Sequence, residues 1–136
     1  MKHSLAVLAA GVAAAAFAGQ AAAASGITIT IHHQKAGCHA WAIGTGAYKV
    51  VQTLTVKPGT ALTFTNNDVM GHTLLQLNGP KVALAGRNMN KIGAHATLVL
   101  SKPGAYVFGT KEGNDYYKGV VTTGPDNVLR LVVTVK

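Results

Sequence analysis

Apolar and polar side chains alternate strictly along Ile27-Thr-Ile-Thr-Ile-His-His33. A period of two places Ile27, Ile29, Ile31 and His33 on one face of a strand, with His32 on the threonine face. The same alternation, or a short apolar run between turn residues, predicts strands at Val50–Val56, Ala61–Thr65, Thr73–Leu77, Ala94–Leu100, Ala105–Thr110 and Leu129–Val135, with a short one near Val120–Thr123. Turn chemistry separates them. Lys57-Pro-Gly-Thr60 and Ser101-Lys-Pro-Gly104 set proline beside glycine, and Asn66-Asn-Asp68 and Asn78-Gly-Pro80 end the strands before them. Gln34 to about Tyr48 reads as a long loop broken at Gly44-Thr-Gly46, while Lys81–Lys91 fits a short strand, a helical turn or a loop. Seven to eight short strands without a convincing helix indicate an all-β sandwich or barrel in one domain.

The first residues follow another pattern. Met1-Lys-His3 is a short basic start, followed by an uncharged, alanine-rich run from Leu5 to Ala18 and small residues through Ser25. This is the pattern of a secretory leader at 1–24, cut near Ala24 and leaving a domain at 25–136. The run is too short and too alanine-rich for a comfortable membrane span. The expected location is periplasmic or extracellular.

The chain carries 12 Lys and Arg against four Asp and Glu, a net +8 that falls by one if Lys2 leaves with the leader. Its lysines are scattered, with no basic run and no interleaved aromatics, which excludes a nucleic-acid surface and reads as solubilising charge with protected strand edges. The only carboxylates are Asp68, Glu112, Asp115 and Asp126, and beyond the leader serine occurs only at Ser25 and Ser101. Neither a paired acid and base nor a serine triad is visible, so the chain is not expected to be an enzyme. Cys38 is the only cysteine. In an oxidising compartment it has no intrachain partner and is a free thiol, an intermolecular partner or a metal ligand.

Val56-Lys-Pro-Gly-Thr-Ala-Leu-Thr-Phe-Thr-Asn-Asn-Asp-Val-Met-Gly-His72 resembles the hallmark stretch of cupredoxins, the small blue-copper proteins. There a Pro-Gly turn leads into a Thr-x-Phe-x-Asn strand, and a histidine a few residues beyond binds copper. Lys102-Pro-Gly-Ala-Tyr-Val-Phe108 is similar to the family strand that runs into the copper loop. The resemblance implies a cupredoxin-like Greek-key β-sandwich over most of the domain, with electron transfer as the family's default role. The copper loop departs from the pattern. Thr110 stands in the cysteine's place, Gly113 approximately in the histidine's and Tyr117 in the methionine's. Three of the four implied ligands are missing, so an ordinary blue-copper site cannot form.

Strand counting brings the remaining donors together. If Ile27–His33 runs up, the following loop with Cys38 and His39 lies at the upper end; Val50–Val56 then descends and Ala61–Thr65 rises again toward His72. Thiolate, imidazole and thioether favour copper, Cu(I) above all. The expected site is therefore non-standard: Cys38 and His72, completed by His33, His39 or Met70. Adjacent Cys38 and His39 rarely both reach one ion, so one of them is expected to support the other. Each residue also has a plainer reading: His72 as a relic at the first position of a strand, Cys38 as a small buried hydrophobe, His39 as an exposed loop residue, His33 as a core histidine and Met70 as loop packing. His95 reads as structural, Trp41 as packing over its loop, and Tyr116 and Tyr117 as filling the vacated copper loop. The function expected is copper binding for carriage or redox use, with a copper or redox protein as partner. The alternative is a metal-free cupredoxin scaffold serving as a binding or assembly module.

Overall fold

A computed structural model describes residues 26–113 and 119–136. The expected leader at 1–24, and Tyr116 and Tyr117, lie outside the described residues. Among the described residues nine strands form: β1 (Ile27–Gln34), β2 (Cys38–Ile43), β3 (Val51–Val56), β4 (Thr60–Asn67), β5 (His72–Asn78), β6 (Asn88–Met89), β7 (His95–Leu100), β8 (Gly104–Glu112) and β9 (Arg130–Val135). They make two sheets, ordered β2-β1-β4-β7 and β3-β9-β8-β5-β6. β1 runs parallel to β4, and β3 parallel to β9; the other ladders are antiparallel. The expected all-β, Greek-key sandwich is present. Among the described residues no helix is long and apolar enough to cross a membrane.

Alternation explains the layers. Ile29 and Ile31 from β1, Leu62 and Phe64 from β4, and Leu98 and Leu100 from β7 point from the first sheet into the core. Leu74, Phe108, Leu131 and Val133 meet them from the second. Trp41, Phe64 and Phe108 form an aromatic path across the interface, with ring centroids 6.1 and 5.9 Å apart. Such pairs add about 0.5–1.5 kcal/mol each beyond their area burial. At the lower end, Pro58 presets a turn and Gly59 takes its left-handed position at φ 89°. Thr60 closes it, its hydroxyl donating to the Lys57 carbonyl at 2.7 Å. The second Pro-Gly turn is held by the Tyr106 hydroxyl, which donates to the Lys102 carbonyl at 2.7 Å.

Three expectations are corrected. The segment read as a loop from Gln34 to Tyr48 contains β2, which pairs with β1 so that His33 faces His39 and Ile31 faces Trp41. Cys38 through Ala42 are buried without interruption, so this strand shows no alternation. Both its faces and its outer edge are covered. Trp41 exchanges backbone hydrogen bonds with Lys49, and the Asn127 amide donates to the His39 carbonyl at 2.8 Å. Trp41 consequently lies in the core rather than over a loop. The strand expected near Val120–Thr123 is reduced to a bridge between Ala36 and Thr123.

Candidate metal centre

β1 and β4 run in parallel and finish at the same, upper end of the sandwich; β5 starts there and β8 ends there, with His72 opposite Glu112. The link from β4 to β5 is built around Asn66, which is fully buried. Its side-chain Oδ1 accepts the Asp68 N–H at 2.8 Å, and its side-chain Nδ2 donates to the Met70 and Met89 carbonyls at 2.8 and 2.9 Å. With its polar atoms satisfied, the buried amide fixes the loop. Asp68 Oδ1 accepts the Met70 N–H at 3.2 Å. The Asp68 carboxylate is thereby held inside the protein with no exposure.

Three imidazoles surround that carboxylate. His72 Nε2 lies 2.9 Å from Asp68 Oδ2, His39 Nδ1 lies 3.4 Å from the same oxygen, and His33 Nδ1 lies 3.7 Å from Oδ1. The His39 and His72 rings meet edge to face, with centroids 5.0 Å apart. The outward nitrogens also have oxygen neighbours: His72 Nδ1 lies 3.2 Å from Thr110 Oγ1, and His39 Nε2 lies 3.2 Å from Glu112 Oε1. Among the described residues, His39, Asp68 and His72 form the group whose donor atoms converge, all within 4.8 Å of one another.

The donors fit a transition-metal ion on two counts. Ligands bonded at about 2.0–2.1 Å in a tetrahedron stand roughly 3.3 Å apart, and the Asp68 oxygen is 2.9 and 3.4 Å from the two imidazole nitrogens. In addition, neither ring nitrogen of the fully buried His39 makes an aligned hydrogen bond. Its two carboxylate neighbours, at 3.4 and 3.2 Å, give charge pairing without hydrogen-bond geometry, and an ion between His39 Nδ1 and Asp68 would partner that nitrogen.

Charge is concentrated here. Burial alone would raise the Asp68 pKa, but His39, His72 and the Met70 N–H hold the carboxyl well below the usual range. Burial alone would lower His39; Asp68 and Glu112 outweigh it and hold the imidazole up at about 9. The His39 ring in turn holds Glu112 below its ordinary value. Without an ion, the buried carboxylate is thus balanced by a proton on His39.

The named candidates separate into groups. His72 and His39 join the converging set, and His33 stands at its margin, half-buried. Of the two expectations for His39, a ligand or an exposed loop residue, the second is corrected: the β1–β2 hairpin buries it completely. Cys38 and Met70 reach the same end and contact each other, the thiol donating to the thioether at 3.2 Å. Cys38 has a left-handed φ of 67°, and burial followed by the charges of Asp126, Asp68 and Glu112 pushes its thiol up to about 11. His32 is exposed against Tyr48, and His95 is exposed at the start of edge strand β7. Asp68 and Glu112 were missed as site residues. Asp68 looked like turn chemistry, although a carboxylate four residues before His72 is a notable placement in a chain this poor in acids.

No protein-family model matches the chain, and no curated protein matches it. Solved structures with similar backbones include an amicyanin from Paracoccus versutus, 16% identical at a TM-score of 0.41 over 88% of this chain and 87% of that one. Another is the inclusion body protein PixA from Burkholderia cenocepacia, 8% identical at 0.47 over 85% and 97%. A multi-copper oxidase from Pediococcus acidilactici is 12% identical at 0.45, covering 82% of this chain but 25% of that one. Likenesses this weak carry no functional argument. The chain's own strand order defines a two-sheet, all-β sandwich, and its chemistry lies in the residues at the upper end.

Proposed function

We propose that this is an exported, non-enzymatic protein that binds copper at the upper end of the sandwich, for carriage or redox use with a copper or redox protein as partner. The observation that carries this reading is the convergence of His39, Asp68 and His72 on one buried point. Two imidazoles and a carboxylate suit a divalent ion, and among divalent first-row metals copper binds such sites most tightly. The adjoining Cys38–Met70 contact supplies soft sulfur of the kind Cu(I) prefers. The chemistry a bound copper ion supplies is one-electron exchange, or none if it is cargo. The chain's own contribution is to hold the three donors together and to bury them from water.

A second reading has its own support. The His72–Asp68 hydrogen bond at 2.9 Å is complete without any ion, which suits a metal-free scaffold. The two separate on titration of the chelator-stripped domain at 25–136 with Cu(II), Zn(II) and Cu(I). One Cu(II) per chain is expected, weakened at least 100-fold in His72→Gln and in His39→Gln, with Cu(I) binding also weakened in Cys38→Ser. Binding of none of the three ions refutes the copper reading and leaves the scaffold.

A further inference from the structure

We infer that Thr110 is the positioning residue for His72: its hydroxyl serves either tautomer of the imidazole and so frees Nε2 to turn from Asp68 to an ion. The inference rests on the metal-binding reading, and part of its test does not.

His72 has 1% exposure, so both its ring nitrogens depend on protein partners. Nε2 lies 2.9 Å from Asp68 Oδ2, and Nδ1 lies 3.2 Å from Thr110 Oγ1. A neutral imidazole carries one N–H and one lone pair, whereas an ionised carboxylate only accepts. In the metal-free protein the N–H therefore sits on Nε2 facing Asp68, and Nδ1 presents its lone pair to Thr110, whose hydroxyl donates. An ion bound at Nε2 requires that lone pair instead. The proton then resides on Nδ1, and the same hydroxyl accepts it. No proton leaves the ring; it changes nitrogen, and the hydroxyl rotates to match.

The sheet explains why residue 110 holds this place. On β8, Thr110 lies opposite Leu74 and Glu112 lies opposite His72. Thr110 is therefore the same-face diagonal neighbour of His72, at a separation that a ring and a hydroxyl can bridge. Thr110 is 8% exposed, leaving little room for water to substitute. An aliphatic residue here neither donates nor accepts. The residue that stands where the resemblance implies a cysteine ligand thus acts on the metal through the histidine.

The test uses the 15N-labelled domain at 25–136, with the histidine nitrogens observed by NMR before and after addition of Zn(II) as a diamagnetic probe. Metal-free protein is expected to show His72 as the Nε2–H form, and the Zn(II) form as Nδ1–H with Nε2 ligated. In Thr110→Val, Zn(II) and Cu(II) affinity falls about 10–100-fold, and Thr110→Ser restores it. An Nδ1–H form in the metal-free protein, or Thr110→Val affinity within twofold of the parent, overturns the inference. The positioning role is also read without metal. The His72 Nδ1 resonance moves in Thr110→Val and returns in Thr110→Ser; if it does not move, the Thr110 assignment is wrong whatever the protein binds. A parent protein that ligates no metal while Nδ1 still responds to residue 110 refutes the metal-binding reading and the tautomer exchange built on it.

Discussion

Asp68→Asn removes the charge that the upper end is built around. The substituted side chain keeps an oxygen for the Met70 N–H, which Asp68 Oδ1 accepts at 3.2 Å. It loses the anion facing His72 at 2.9 Å and His39 at 3.4 Å, leaving the protonated His39 with Glu112 alone. Breaking a buried pair from one side costs about 3–5 kcal/mol, and the retained hydrogen bond argues for the lower figure. His39 gives a second route to the magnitude. Its pKa is held at about 9 against an ordinary 6.5, a difference of about 3 kcal/mol in proton affinity at 1.36 kcal/mol per unit. The His39 figure is a net value for the cluster, to which Glu112 contributes and which burial opposes, so the two figures do not add. Because the folded value is raised, this stabilisation is fully present below pH 6.5 and is lost as pH rises through about 9. Asp68 has the opposite sign: its folded value is depressed, so its contribution is present above about pH 4 and is lost on further acidification. The assay is urea unfolding of chelator-treated protein between pH 5 and 9.5. The parent should lose stability from pH 6.5 to 9. Asp68→Asn should unfold roughly 1–3 M earlier in urea at pH 6, given a slope of about 1–3 kcal/mol per molar, with a smaller alkaline decline, the remainder being set by Glu112. A cost below about 1 kcal/mol at pH 6, or an unchanged alkaline decline, would refute this electrostatic reading.

Other parts of the molecule give independent checks. Cys38 is 1% exposed, with its thiol pushed up to about 11, so iodoacetamide at pH 7.5 should label it only after unfolding; rapid labelling of native protein contradicts its burial. Gly79 has φ 102°, and a Cβ there would strike the Ala105 carbonyl and sit 2.8 Å from the Tyr106 Cα. Gly79→Ala should therefore cost about 1–3 kcal/mol in thermal unfolding, and an unchanged melting temperature would mean a different turn. Tyr106→Phe deletes the bond to the Lys102 carbonyl and should cost about 1 kcal/mol by urea unfolding; a neutral result assigns no stability to that bond.

Alternation made most strands readable because most present one face to the core. β1 and β7 follow the pattern closely, with Ile29 and Ile31 buried in one and Ala96, Leu98 and Leu100 in the other. β2 escaped because Cys38-His-Ala-Trp-Ala-Ile43 is covered on both faces and lies between Gly37 and Gly44, which read as loop. The exposed-loop reading of His39 fails for the same reason, since its burial depends on β2 pairing with β1. The upper-end position of His72 followed from strand direction and needed no contacts. Asp68 did not, because an aspartate in a turn normally caps its own backbone, as Asp68 does for Met70. Its second oxygen faces His39 and His72, a consequence of tertiary packing across strands that no local pattern records. Thr110 was legible only as a lost ligand, since its contact with His72 exists through the β5–β8 register.

The most direct test of the central claim is anomalous diffraction at the copper edge from crystals of the domain soaked with one equivalent of Cu(II). The account predicts one strong peak bonded to His39 Nδ1, His72 Nε2 and Asp68 Oδ2 at about 2 Å from each. Copper bound only at surface histidines such as His32 or His95, with the Asp68–His72 hydrogen bond unchanged, would contradict it.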